Sequence, residues 1–280
     1  MDLSGFSADP VQGPVRLLFI HHSCGGQMLA DPGRENGDHC IYRTHPNGGG
    51  LRGLLEKNGY EVHEASYGSD VGENTDLYDW PDKFRSKMDA VLSCDNQDKQ
   101  YTDGGRNSVV MFKSCFPNNE FTGEGDDAGH APGAPLTIRG AKAAMNDLLP
   151  EFRKHPDVLF VYMTAPPVAP FAPAQPLWKM LAKTVLGRKS PAERLRYRGA
   201  LAREFNDWVK SPDGWLKGYD LKNVAVFDYY DVLTGDGRSN LSEFPTGGGR
   251  DSHPSAKGNR IAAQRLIPLL NRAVRRAKGV

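Results

Sequence analysis

Long hydrophobic runs are missing from this sequence. No apolar stretch approaches the roughly 20 residues that span a bilayer, and the opening MDLSGFSADP has neither a basic n-region nor an apolar h-region. The expectation is a soluble chain with no membrane span and no legible targeting segment, its compartment left open between cytoplasm, periplasm and secretion. An excess of one charge is missing too. Lys plus Arg number 35 against 34 Asp plus Glu, a formal charge of +1, so no global field draws nucleic acid or an anionic membrane surface. The expected partner is a small molecule or a glycan. Cysteine is scarce: Cys24, Cys40, Cys94 and Cys115 form no CxxC pair, and thiols and disulfides are both open. Internal repeats and low-complexity tracts are absent, which removes solenoids and linkers from consideration.

What is present is an ordinary globular composition, 280 residues with 39% hydrophobic and 25% charged side chains, enough for a sizeable core. At roughly 150 residues per domain the length allows one or two. One is expected over 15–280, preceded by an extension at 1–14. Short apolar, β-rich runs alternate with longer helical stretches, the signature of a parallel sheet wound with crossover helices. Five strands are predicted: Val15 to Ile20, Glu61 to Ser66, Ser108 to Phe112, Val158 to Met163 and Val224 to Tyr229. All but the second are continuously apolar, as strands covered on both faces should be. The second alternates as an edge strand would, which suits a single three-layer α/β/α domain with a flavodoxin-like parallel sheet in the order 2-1-3-4-5.

Helices are predicted at Leu51 to Asn58, at Trp80 to Leu92 with Pro81 in the first turn, at Ile138 to Lys154, from Ser190 to about Val209, and from near Ser255 to a basic last turn. Gly25 to Gly50, Asn118 to Pro135 and Thr234 to Gly249 read as long polar loops. Each follows a strand, so all three gather at the carboxyl edge of the sheet, where sites are built. The Pro-rich run at 164–176 reads as a rigid wall over that edge.

Two segments could carry chemistry. The first strand runs into HHSCGG at 21–26, which places Ser23 at a strand end before two glycines. Far along the chain, Asp251 and His253 precede a Pro at a helix entry, a way to deliver a base and its orienter to a distant nucleophile. Cys24 and Cys115 each follow one of two neighbouring strands, so they are expected near each other, within reach of a disulfide.

These segments resemble the SGNH (GDSL-like) hydrolases, in particular a branch whose first block reads HHS instead of GDS. The likeness runs over nearly the whole chain in four ordered segments: FIHHSCGG at 19–26, YGSDVGENTDLYDW at 67–80, FKSCFPNNE at 112–120 and DSHP at 251–254. It implies a serine esterase without a cofactor and without a metal, acting on esters of small molecules or carbohydrates; the lack of a long apolar lid segment and the polar, Gly-rich loops predict a short acyl group, acetyl first. Ser23 would be the nucleophile, His253 the base and Asp251 the orienter. The oxyanion hole would comprise the N–H groups of Ser23 and Gly72 and the side-chain amide of Asn118, with Asn119 as the alternative. Two features depart from the family pattern. Its acid usually stands three residues before the His, where this chain has Arg250, so Asp228 and Asp231 are alternative orienters. The family's Gly-x-Asn-Asp form is missing around Asn118.

Two other readings come from different classes. A non-catalytic glycan-binding domain of the same fold would need no Ser23. A zinc-dependent hydrolase would draw ligands from His21, His22, Cys24, His39, Cys40 and His45, although adjacent His21 and His22 point to opposite faces of an extended chain. Met28, Tyr42, Trp80, Phe171 and Trp178 are expected in the core or along a substrate groove. Arg34, Arg43 and Arg139 are expected on the solvated surface. Acyl length, natural substrate and oligomeric state are not legible.

Overall fold

A computed structural model describes residues 2–126, 129–173 and 189–279. Strand β1 (Val15–Ile20) leads into helix α1 (Ser23–Leu29). Three short strands, β2 (Asp31–Pro32), β3 (Asn36–Asp38) and β4 (Ile41–His45), precede α2 (Leu51–Lys57) and β5 (Tyr60–Ala65). Then come α3 (Trp80–Ser86), α4 (Met88–Ser93), β6 (Cys94–Asn96), β7 (Lys99–Gln100), β8 (Val109–Lys113) and a 3-10 turn at Phe116–Asn119. Helix α5 (Ile138–Arg153), β9 (Leu159–Met163), α6 (Pro191–Lys210), β10 (Val224–Phe227) and α7 (Tyr229–Leu233) follow. The chain closes with β11 (Pro245–Thr246), β12 (Asp251–Pro254) and α8 (Ala256–Lys278).

The main sheet has seven strands in the order β10-β9-β8-β1-β5-β6-β7. It is parallel from β10 to β6, and only β7 runs antiparallel. The five-strand expectation is therefore corrected in count and in its edge. Residues 61–66 are covered by β6, a strand of three residues too short and too polar (Cys-Asp-Asn) to announce itself. The polar positions that made β5 look like an edge are buried instead: His63 and Glu64 are 8% and 4% exposed. Each has an internal partner, the Asp95 carbonyl for His63 Nδ1 and His21 for Glu64.

Strand β1 shows why a continuously apolar run is needed at the centre of such a sheet. Leu18 and Ile20 point into one core with Trp80, Phe84, Phe112, Phe152 and Phe160, while Leu17 and Phe19 point into the other with Met28, Leu266 and Leu270. Helices α3 and α5 cover the first face; α1, α2 and α8 cover the second. Met28 and Trp80 belong to the core, Tyr42 is half-buried and Phe171 is exposed. Trp178 and residues 174–176 of the Pro-rich run lie outside the described residues.

Two further expectations are corrected. Residues 25–50 are not a structureless loop; they hold most of α1 and a small sheet in the order β2-β4-β3. The stretch from Trp80 to Leu92 breaks at Lys87, where φ is −126°, into α3 and α4. Helix α6 starts from a capping box, Ser190 Oγ accepting from the Glu193 N–H and the Glu193 carboxylate accepting from the Ser190 N–H. Residues 7–10 lie along α8, where Arg275 donates to the carbonyls of Ser7, Asp9 and Pro10. No helix among the described residues is long and apolar enough to cross a membrane.

Candidate active site

Ser23 is the first residue of α1, at the turn where β1 ends. Its backbone N–H donates to no group among the described residues, as befits the first turn of a helix. The carbonyl of His22 collects the N–H groups of Gly25 and Gly26 at 2.9 and 3.1 Å. Both glycines are demanded by packing. A Cβ on Gly25 would sit 2.4 Å from the Cβ of His21, and one on Gly26 would sit 1.8 Å from the carbonyl oxygen of Cys40.

The opposite side of the site comes from β12, 230 positions along the chain. The Ser23 hydroxyl donates to His253 Nε2 at 2.9 Å, and His253 Nδ1 donates to Asp251 Oδ1 at 2.7 Å. The same carboxylate oxygen accepts from the His253 backbone N–H at 3.0 Å, so one oxygen holds both the ring and its backbone. Asp251 stays ionised below the ordinary Asp range: burial pushes its carboxyl up, and the two hydrogen bonds from His253 outweigh that. Between the pair, Ser252 Oγ accepts from the Ala169 N–H at 2.9 Å, tying the block to the Pro-rich run after β9. The ring of Phe116 stands edge-on to the His253 ring at 5.2 Å.

Beneath this line lies a network of charged and polar groups. His21, fully buried, donates through Nδ1 to the His22 carbonyl at 3.0 Å and contacts Glu64 Oε2 through Nε2 at 3.0 Å. Arg52 pairs with the other Glu64 oxygen. Burial pushes the Glu64 carboxyl up, but hydrogen bonds and charge from His21 and Arg52 bring it below its ordinary value. His22 turns the other way, stacking on Tyr67 with ring centroids 3.6 Å apart and donating to the Gly72 carbonyl at 3.0 Å. Burial holds its ring towards the neutral form.

The remaining predicted residues separate clearly. Asn118 accepts from the Leu77 N–H at 2.7 Å and donates one amide N–H to Asp76 at 2.7 Å, which leaves its second N–H over. Asn119 spends its amide on the carbonyls of Ala165 and Pro166 and accepts from Asn206, a structural role. Gly72 is brought beside His22, but its N–H already donates to Ser69 Oγ at 2.8 Å, so in this arrangement it is not a free donor. Asp228 accepts from Thr164 and the Asp231 N–H and forms an ion pair with Lys210, and Asp231 pairs with Arg203. Neither faces His253.

No family model matches the chain, and no curated protein does. Solved structures that resemble it include a variant of an acetyl-xylooligosaccharide esterase from Geobacillus, 14% identical over 93% of this chain and 96% of that one, with a TM-score of 0.45. A carbohydrate esterase family 2 enzyme from Corynascus is 13% identical over 96% of this chain and 68% of that one, TM-score 0.40. The periplasmic domain of a Salmonella lipopolysaccharide acetyltransferase is 12% identical over 94% and 91%, TM-score 0.41. Likeness of this degree assigns no activity, and the chemistry has to be read from the side chains.

The candidate metal ligands are placed apart. His21 and His22 face different partners, and His45 Nδ1 accepts from the Asn47 N–H. Among the described residues no three His, Cys, Asp or Glu side chains converge on a point that could hold an ion. The expected neighbours Cys24 and Cys115 have Sγ atoms 3.5 Å apart, and both are free thiols. Cys115 Sγ also lies 3.6 Å from Ser23 Oγ. That proximity, the Glu64–Arg52 support and the Phe116 wall were not anticipated. A carboxylate inside the strand preceding the second block was the available signal for the support.

Proposed function

We propose that this chain is a serine esterase of the SGNH kind that removes short acyl groups, acetyl first, from small-molecule or carbohydrate esters. The observation that carries this reading is the hydrogen-bonded line Ser23–His253–Asp251, assembled from opposite ends of the chain. A serine whose hydroxyl donates to an imidazole held by a carboxylate has the geometry of an activated nucleophile. His253 takes the Ser23 proton as Oγ attacks the ester carbonyl, then returns it to the leaving alcohol. Water, deprotonated by the same imidazole, releases the acyl group. Asp251 holds the ring in the tautomer with Nδ1–H and balances the imidazolium that forms.

The developing oxyanion needs donors that nothing else uses. The Ser23 N–H and the second amide N–H of Asn118 meet that requirement, and the Gly72 role expected from the family likeness is set aside because Ser69 holds its N–H. Losing one such donor costs about 3 to 4 kcal/mol of transition-state stabilisation. Purified protein with p-nitrophenyl acetate and acetylated oligosaccharides tests the reading. Turnover by the wild type and its loss in Ser23→Ala is the expected result; equal turnover by both would overturn it.

A further inference from the structure

Two of the four cysteines, Cys24 and Cys115, have sulfur atoms 3.5 Å apart, beside Ser23. Cys24 is fully buried in α1, one residue past the nucleophile, and Cys115 is half-buried immediately before the 3-10 turn. The end of β8 adds a second observation. Lys113 is 0% exposed, and its Nζ has no hydrogen-bond partner among the described residues. A buried polar nitrogen without a partner is costly and calls for a polar or anionic neighbour.

We propose that Cys24 and Cys115 form an oxidative modification site, joined to a disulfide by a peroxide, and that this bond switches off the esterase by displacing the groups around Ser23. The switching half of the inference rests on the esterase reading; the disulfide half does not.

The two thiols are unequal, which gives each a role. Cys115 is held well below the ordinary thiol range by its side-chain contact with Cys24 and by Lys113, against burial. Cys24 is pushed well above that range by the same contact and by burial. The contact therefore favours thiolate character on Cys115 over Cys24. The Cys115 thiolate attacks a peroxide oxygen, the O–O bond breaks, and hydroxide leaves, giving a sulfenic acid. Cys24 then attacks that sulfur; the S–S bond forms, the S–O bond breaks and water departs with the Cys24 proton. Two sulfurs lose two electrons in all, and one peroxide is reduced.

Forming the bond draws the sulfurs together from 3.5 Å to about 2 Å. Cys115 Sγ must then leave its position 3.6 Å from Ser23 Oγ. The movement is transmitted along the chain, because Phe116, against His253, is the next residue, and Asn118 lies in the same turn. A donor or base displaced by about 1 Å can cost on the order of 100-fold in rate.

The experiment treats the wild type, Cys24→Ala and Cys115→Ala with hydrogen peroxide, then counts thiols, maps linked peptides by mass and measures ester turnover against each protein's own untreated rate. The wild type is expected to go from four thiols to two, to show one link between residues 24 and 115, and to lose at least tenfold in turnover, restored by dithiothreitol. Cys24→Ala should form no link and instead accumulate a dimedone-reactive sulfenic acid at residue 115. Cys115→Ala should form no link and keep its turnover. Four surviving thiols, a link through Cys40 or Cys94, or a 24–115 link with turnover unchanged would each overturn the proposal. A reduced wild type that turns over no ester at all would strike the esterase reading, while the mass map still decides the disulfide.

Discussion

His253 takes part in both hydrogen bonds of the proposed catalytic line, so on that reading its loss and the loss of Ser23 remove the same unit. Ser23→Ala and His253→Ala are each expected to lower kcat by several orders of magnitude with the fold intact, and the double variant should be hardly slower than either, because groups that act as one unit do not add. Steady-state kinetics on the three proteins checks this. Asp251→Asn should also cost about 1,000-fold or more, since neither Asp228, held by Lys210 and Thr164, nor Asp231, held by Arg203, can swing in to replace it. Glu64 allows a prediction about pH. Its carboxyl is lower in the folded chain than in the unfolded one, so its stabilisation is present above the unfolded value and is lost as pH falls through the folded value. Denaturant midpoints from pH 7 to pH 3 should fall steeply at the acid end for the wild type. Glu64→Gln should start lower by about 3 kcal/mol, from the broken buried pair, and lack that part of the acid slope.

At the scale of elements, the turn between β1 and α1 depends on two glycines. Gly26→Ala puts a methyl group 1.8 Å from a backbone carbonyl of the segment joining β3 to β4, which cannot yield as a flexible side chain can. The expected result is a loss of at least about 2 kcal/mol in urea unfolding, together with a fall in kcat as Ser23 shifts. Continuous apolar runs marked four of the sheet strands, and the Ser190 and Ser255 caps marked where α6 and α8 begin. Ser23 and His253 could be singled out because each sits beside a backbone signal, glycines in one case and proline in the other. The small sheet at 31–45 escaped because its strands are two, three and five residues long, and the first two, Asp-Pro and Asn-Gly-Asp, cannot be separated from a loop by composition. Strand β6 escaped for the same reason, and with it the burial of Glu64. That Ser69 takes the Gly72 N–H is a side-chain contact within one loop, which no periodicity encodes.

At the scale of the whole molecule, a parallel sheet with helices on both faces leaves its carboxyl edge as the place where distant segments meet. Here that edge gathers the ends of β1, β5, β8 and β9, and the β12 block is tied down through Ser252 and Ala169. The side chains in contact with the Ser23 hydroxyl are polar or compact: His253 and Cys115. That surround, with the polar loops beyond it, favours a short acyl group over a fatty chain. The rate with p-nitrophenyl acetate should exceed that with butyrate and far exceed that with octanoate; a clear rise towards octanoate would reverse the assignment of acyl length.

Which serine is the nucleophile decides the proposed chemistry, and a serine-directed phosphonate reports that without any knowledge of the natural substrate. Mapping the adduct by mass on the intact wild type should find one phosphonyl group per chain, on the peptide bearing Ser23, and its rate of attachment should collapse in His253→Ala. An adduct on any other serine, or none in a protein that hydrolyses esters, would contradict the account.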